Sequence, residues 1–138
     1  MAGKLLLEVV TPDKLLLSKQ VDEVIAPGAE GEFGVLPGHC HFLSTLRIGE
    51  LRYRTGDVTE YMSVLWGFAE VTPKKVTLLA EVAEKAEDID VERATAKVAE
   101  AEKRLEVGGL PSELKEAQIS LEKARLRKKI AERARLKK

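Results

Sequence analysis

The amino-acid composition of this chain changes abruptly after Val82. Before that point, short apolar and β-branched runs alternate with glycine and proline, whereas Ala, Glu, Lys, Arg and Leu predominate beyond it. Short strands with Gly and Pro at their joints are typical of an all-β sandwich or barrel, and the second composition is typical of α-helix. We therefore predict an all-β sandwich over residues 1–85 and a helical domain over residues 86–138.

The first domain contains strand-forming runs at intervals of about 8 to 12 residues, the spacing of a sandwich of antiparallel strands. Trp66 and Gly67 are expected to separate two short strands, and Thr55-Gly56-Asp57 has the composition of a hairpin turn. The runs are Lys4–Val10, Leu15–Ile25, Glu32–Leu36, Leu46–Tyr53, Val58–Leu65, Phe68–Val71 and Val76–Val82.

Glycine and proline are concentrated between Ala26 and Leu46. Because glycine tolerates positive φ and proline presets φ, the Pro-Gly pairs at 27–28 and 37–38 predict two tight turns with one short strand between them. Such turns hold polar side chains in fixed places at one edge of the domain. We interpret this edge as a docking surface rather than a catalytic pocket. Its polar side chains are Glu30, Glu32 and His39.

The second domain is predicted to be an antiparallel pair of helices that turns at Gly108–Gly109. Asp88 or Asp90 is expected to cap the first helix, and Ser112 the second. Each helix has one apolar face, made by Val91, Ala94, Val98, Ala101 and Leu105 in the first and by Leu114, Ala117, Leu121 and Ala124 in the second. Alanine buries little area, so we expect a weakly held seam that can open, followed after Ala124 by a solvated basic face.

Charge is distributed unevenly, although the whole chain is neutral. From Lys123 onward there are nine basic residues against one acidic residue, Glu132. This asymmetry indicates an interaction tail that docks on an acidic protein surface. The alternative is a free-standing regulator that binds nucleic acid through the same helix. The neutrality of the chain and the lack of aromatic residues in the tail weigh against that alternative.

No constellation of catalytic or metal-binding residues is evident. His39, Cys40 and His41 are consecutive, and the chain has no other Cys or His, so a metal site is not predicted. Cys40 also lacks an orienting partner for a base, and the glycines lack the lysine of a phosphate loop. We expect a non-enzymatic protein. A single cysteine and the absence of long apolar runs predict a soluble protein of a reducing compartment.

Four segments resemble the epsilon subunits of bacterial F-type ATP synthase. They are V-x-x-V-x-x-P-G-x-x-G-E-F-G-V-L-P-G-H at Val21–His39, L-x-x-G at Leu46–Gly49, W-G-F-A-E-V at Trp66–Val71 and D-I-D-V-E-R-A at Asp88–Ala94. The resemblance implies a sandwich of about ten strands followed by two helices. It also implies a non-catalytic rotor subunit that binds gamma and the ring of c subunits, at the cytoplasmic face of the bacterial inner membrane. Contact with the membrane would be indirect, through the complex.

The resemblance assigns two sets of contacts. Glu32 and His39 match the family's residues that meet the c-ring and gamma, and His41 stands where the family usually has proline. The family's helical domain is either folded on the sandwich or extended along gamma, where its basic last helix meets the catalytic alpha and beta subunits and inhibits ATP hydrolysis. The sequence does not indicate which arrangement prevails. The matching basic residues are Arg125, Arg127, Lys128, Arg133 and Arg135.

Some family members bind ATP as a regulatory ligand through an I-D-x-x-R-A motif. The matching residues here are Ile89, Asp90, Arg93 and Ala94, with Glu84 and Arg127 at companion positions. Two positions that carry arginine in the ATP-binding members are Glu100 and Lys123 in this chain. A carboxylate repels a triphosphate, and lysine lacks the forked geometry of arginine. We therefore expect ATP binding to be weak or absent, and no other cofactor is predicted.

Overall fold

The computed structural model describes residues 3–39 and 41–136, with the side chains of 134–136 outside that description. The chain forms two compact units, Met1–Lys85 and Ala86–Lys138. The first consists of strands β1 (Leu5–Val10), β2 (Leu15–Val21), β3 (Glu23–Gly28), β4 (Gly31–Val35), β5 (Phe42–Leu46), β6 (Gly49–Thr55), β7 (Val58–Val71) and β8 (Lys75–Lys85). The second contains a short 3-10 helix (Ala86–Asp88), α1 (Val91–Val107) and α2 (Pro111–Leu136).

The first unit is a β-sandwich, as predicted. Its strands follow the order β2-β1-β8-β7-β5-β3-β4, and β6 bonds to both β3 and β7. Because β6 closes this circuit, the sheet folds over on itself and encloses one apolar core. Alternate side chains of each strand face that core. In β1, for example, Leu5, Leu7 and Val9 are fully buried, while the intervening residues are half-buried.

The described residues form eight strands rather than the predicted ten. The expected break at Trp66–Gly67 is absent because β8 pairs with β7 in one register on both sides of it. Trp66 and Gly67 have φ values of 47° and 142°, so they bend β7 without ending it. At this bend β7 changes its other neighbour from β6 to β5. One long strand thus makes the pairings that two short strands were expected to make.

The expectation that all strands are antiparallel was wrong for one pair. β1 runs parallel to β8, with Leu7 opposite Val76 and Val9 opposite Leu78. A parallel pair needs a long connection between its strands. Here the connection is supplied by the six strands that lie between β1 and β8 in the chain.

The two predicted Pro-Gly turns had different outcomes. Pro37–Gly38 forms a turn, in which Gly38 has a φ of 90° and the His39 N–H donates to the Leu36 carbonyl at 3.1 Å. The other turn lies two residues later than predicted, at residues 29–30. Gly28 instead belongs to β3, where a Cβ atom would stand 2.9 Å from the Phe33 ring. Gly28 is therefore required by close packing rather than by a turn.

The helical seam matches the predicted apolar faces. Ala94 and Ala101 of α1 are buried, as are Ala117, Leu121 and Ala124 of α2. The seam does not end at Ala124, however, because Ile130 and Ala131 are also buried. The prediction failed because α2 has 26 residues and α1 only 17. The last turns of α2 run past the start of α1, and α2 also packs against the 3-10 helix.

The helix ends differ from each other in how they are capped. Asp90 caps α1, since its Oδ1 accepts the Arg93 N–H at 3.1 Å. Ser112 was the wrong choice for α2, which begins at Pro111 and places Leu110 in the capping position. Proline is favoured at the first position of a helix, because its missing N–H has no intrahelical partner there. None of the described helices has the length and apolar character needed to cross a bilayer.

Candidate functional site

Glu32 lies on β4 with its side chain 45% exposed. Its Oε2 accepts a hydrogen bond from Nη1 of Arg52 at 3.3 Å. The same nitrogen donates to Oε2 of Glu50 at 3.1 Å. Arg52 and Glu50 both belong to β6, two residues apart, so they project from the same face of that strand. One guanidinium thus joins an exposed carboxylate to a carboxylate that is only 6% exposed.

His39 follows the Pro37–Gly38 turn and is half-buried. Its ring centroid lies 6.2 Å from that of Phe42, and the Phe42 ring meets the Phe33 ring edge-on at 5.1 Å. Phe33 is the residue next to Glu32 on β4. This strand therefore carries the first predicted docking residue and supports the second through two aromatic contacts. We call Glu32, His39 and the turn at residues 36–39 the docking edge.

The turn of the docking edge is tied to a neighbouring turn. The Gly38 N–H donates to the carbonyl of Pro73, in the connection between β7 and β8, at 2.8 Å. Glu30, the third polar residue expected here, is exposed in the turn before β4. His41 is exposed as well, whereas Cys40 lies outside the described residues. The charge of Glu32 is engaged by the guanidinium of Arg52.

The basic residues of α2 differ in exposure. Arg125 is 61% exposed and lies 3.7 Å from a carboxylate oxygen of Glu102 on α1. Arg127, Lys128 and Arg133 are half-buried, and the side chain of Arg135 lies outside the described residues. A pair as exposed as Arg125 with Glu102 contributes at most about 1 kcal/mol. It holds the two helices together only weakly, and the charge of Arg125 remains accessible to a partner.

Three of the four residues in the predicted ATP motif have structural roles. Asp90 caps α1, while Ile89 and Ala94 are 6% and 0% exposed. Arg93 is exposed and provides the cap with its backbone N–H. The motif can thus be explained as the start of a helix, and replacing such a cap by alanine typically costs about 1 kcal/mol.

The companion positions of the motif are distributed over both units. Glu84 is half-buried near the end of β8, and Arg127 is half-buried on α2. Glu100, at a position where the resemblance predicts an arginine in ATP-binding members, is exposed on α1. Within the described parts of the chain, no three His, Cys, Asp or Glu side chains are grouped as metal ligands would be.

Sequence reasoning missed Arg52. In the alternation L-R-Y-R at residues 51–54, Arg52 and Arg54 alternate with the buried Leu51 and Tyr53, and both arginines are half-buried. The alternation did not indicate which acids they meet, since that depends on strand pairing. The register places Ile25 of β3 opposite Arg52 on one side and opposite Gly34 of β4 on the other. Arg52 therefore faces the outer surface of β4, where Glu32 lies.

Comparisons with known proteins agree across both units. Residues 4–86 match the family model described as "ATP synthase, Delta/Epsilon chain, beta-sandwich domain". Residues 87–132 match "ATP synthase, Delta/Epsilon chain, long alpha-helix domain". Among curated proteins, an ATP synthase epsilon chain of Syntrophobacter fumaroxidans is 51% identical, covering 96% of this chain and 99% of the relative. An epsilon chain of Citrifermentans bemidjiense is 50% identical over 97% of this chain and 98% of its own length.

Solved structures share the fold. A chain in the cryo-EM structure of Euglena gracilis mitochondrial ATP synthase, solved with its OSCP, F1 and c-ring parts, matches with a TM-score of 0.81 at 24% identity. The match covers 99% of this chain and 83% of that one. A chain of the Tetrahymena thermophila enzyme, from its central stalk and c-ring, matches at a TM-score of 0.60 and 15% identity over 94% and 98% of the two chains.

Proposed function

This chain belongs to the ATP synthase delta/epsilon family as an epsilon chain, and on that premise we propose that it is a non-catalytic subunit of the central stalk. In this role it couples proton translocation to ATP synthesis and restrains ATP hydrolysis. The observation that carries the proposal is the relationship at about 50% identity over nearly the whole of both chains. It also confirms the resemblance found in the motifs. The relatives give no support to a free-standing nucleic-acid-binding regulator.

The proposed partners of the sandwich are gamma and the ring of c subunits. The docking edge supports this assignment, because it presents a half-exposed carboxylate on a strand that is paired within the sheet. A side chain on a rigid element loses little entropy when it binds. A subunit that transmits torque needs such a stiff contact. Because the ring of c subunits is embedded in the membrane, a chain bound to it would lie at the cytoplasmic face of the bacterial inner membrane. It would contact the membrane only through the complex.

The proposed role of the helices is to inhibit ATP hydrolysis by the alpha and beta subunits. All five assigned residues lie on α2, and the structure describes the side chains of four of them. These four are Arg125, Arg127, Lys128 and Arg133, and the fifth residue is Arg135. The buried part of the seam between α1 and α2 consists mainly of alanine, which contributes little apolar area per residue. Because the seam is weak, the folded and extended arrangements of the helices can have similar free energies. A reversible inhibitor needs two such arrangements.

We infer further that ATP is at most a weak ligand of the helical unit. The Asp90 carboxylate is engaged by the N-terminus of α1, and the exposed Glu100 adds negative charge where ATP-binding members have arginine. The brake would then respond to its partners rather than to free nucleotide.

The test of the proposed function is removal of the helical unit after Glu87. The truncated chain should still assemble with gamma and the c-ring, because the sandwich is a compact unit by itself. The reconstituted complex should hydrolyse ATP faster than the complex with the full chain. Equal ATPase rates would contradict the brake, and failure of the full chain to assemble with the complex would contradict the stalk assignment.

A further inference from the structure

We propose that Arg52 is a positioning residue of the docking edge, which holds the Glu32 carboxylate in place and is itself held by Glu50. Nothing in the sequence motifs assigns a role to Arg52. The inference rests on the docking role proposed for Glu32. It further assigns to Arg52 the role of fixing the position of the Glu32 carboxylate.

The geometry is a chain of three charges along one face of the sheet, with exposure increasing from Glu50 to Glu32. Glu50 is 6% exposed, Arg52 29% and Glu32 45%. One nitrogen, Nη1 of Arg52, lies within hydrogen-bond distance of both carboxylates, at 3.1 Å and 3.3 Å. The inner pair is shielded from solvent, so it restricts the guanidinium more than an exposed pair would. Arg52 can therefore transfer this restriction to Glu32.

The strand order sets the distance that the Arg52 side chain spans. Arg52 must extend across β3 to reach β4, because the strand order at this point is β6, β3, β4. The residue of β4 in line with Arg52 is Gly34, which leaves the space above the strand open. A Cβ atom at Gly34 would have only Ile25 within 4 Å. Arg52 reaches over β3 to the Glu32 side chain, which is two residues from Gly34 on the same face of β4.

The arrangement leaves Glu32 able to bind a partner. Two carboxylates share one guanidinium, so the cluster keeps one net negative charge. Arg52 engages Oε2 of Glu32, while Oε1 has no hydrogen-bond partner among the described residues. A side chain held in one rotamer binds with less loss of entropy than a free one. The fixed Oε1 is thus suited to accept a hydrogen bond from a cationic side chain of the ring or gamma.

The experiment is a double-mutant cycle in the reconstituted ATP synthase with Glu32→Ala, Arg52→Gln and both together. We measure ATP-driven proton pumping relative to ATP hydrolysed, and urea unfolding of the isolated full chain. Arg54→Gln is the matched control, because Arg54 lies two residues on, on the same face of β6, and pairs with Glu23. Arg52→Gln should lower pumping as much as Glu32→Ala, and the double variant no further. Arg54→Gln should leave pumping unchanged, and Arg52→Lys should restore part of it.

Each other outcome has a distinct meaning. If Glu32→Ala impairs pumping and Arg52→Gln does not, the positioning role is wrong while docking through Glu32 stands. If Arg52→Gln lowers pumping further in the Glu32→Ala background, Arg52 acts by another route and the proposal is overturned. If Glu32→Ala pumps like the wild type, the docking role fails and the positioning role fails with it. The unfolding curves show whether any loss follows from lower stability alone.

Discussion

The carboxylate of Asp22 accepts a hydrogen bond from the backbone N–H of Gly56, 34 residues further along the chain, at 2.7 Å. The same carboxylate lies 2.6 Å from Nζ of Lys4 and 3.9 Å from Arg54. Asp22 separates β2 from β3, and Gly56 is at the tip of the β6–β7 hairpin. One side chain therefore fixes a strand junction to a distant turn. The hydrogen bond from Gly56, with the Lys4 contact second, lowers the pKa of Asp22 below 3.8.

This contact predicts how stability depends on pH. Because the folded-state pKa of Asp22 is lowered, its stabilisation is fully present above the unfolded-state value and is lost as pH falls through the folded-state pKa. Asp22→Asn keeps an acceptor for Gly56 but removes the charge. We expect it to unfold at lower urea than the wild type at pH 7, with the difference shrinking below about pH 4. Asp57→Asn, in the β6–β7 hairpin that contains Gly56, is the control. If the difference in unfolding between Asp22→Asn and the wild type persisted at low pH, the charge argument would be contradicted.

Gly67→Ala should destabilise the sandwich. Gly67 has a φ of 142°, and an added Cβ would collide with the backbone carbonyl of Leu79 on β8. Backbone strain at one such residue costs about 1–3 kcal/mol, and the collision adds to it. Gly34→Ala is the control, because its nearest neighbour would be Ile25 at 3.9 Å and its φ is ordinary. Urea unfolding should show a large loss for the first variant and little change for the second.

Replacing Glu32 and His39 together by alanine should uncouple proton flow from ATP turnover. Both side chains lie at the docking edge and outside the core cluster, so the isolated chain should unfold at a similar urea concentration to the wild type. In the reconstituted enzyme, proton pumping per ATP hydrolysed should fall. Glu30→Ala, which removes the exposed carboxylate of the turn before β4, tests whether loss of any nearby negative charge has the same effect. If the double variant pumps protons like the wild type, the docking edge is not part of the interface.

Glu100→Arg with Lys123→Arg should strengthen ATP binding. These substitutions introduce arginine at the two positions where the resemblance predicts it in ATP-binding members, and they exchange a repelling carboxylate for a guanidinium that can engage phosphate in two hydrogen bonds. Calorimetric titration should detect much weaker binding, or none, with the wild-type chain. Glu106→Arg, which makes the same change of charge at another exposed carboxylate of α1, is the control. If the wild type already binds ATP as tightly as the variant, these positions do not limit affinity.

Local sequence signals predicted most of the architecture. The composition break after Val82, the helical periodicity and the Pro37–Gly38 turn are encoded within a few residues, and they were read correctly. The burial of Ile130 was not predicted, because it depends on how far α2 extends beyond α1. Pro111 contains the signal that would have excluded Ser112 as the cap, since proline is favoured at the first helical position.

The docking edge was predictable only in part. Glu32 and His39 were assigned from motifs, and their exposure agrees with a surface position. Phe42, which contacts His39, is close to it in sequence. Arg52, which engages Glu32, comes from a strand that is distant in sequence. The role of Arg52 depends on the pairing of β3 with both β4 and β6, which residue spacing does not specify. Long-range register is the information that a single sequence lacks.

The parallel pairing of β1 with β8 determines when this protein can fold during its synthesis. β1 cannot complete its pairing until β8, the last described strand of the same unit, has been synthesised, because Leu6 pairs with Lys75. Contacts so distant in sequence slow folding, and unpaired strand edges stay exposed in the meantime. The sandwich can therefore be completed only after β8 has been synthesised, at the end of its own unit.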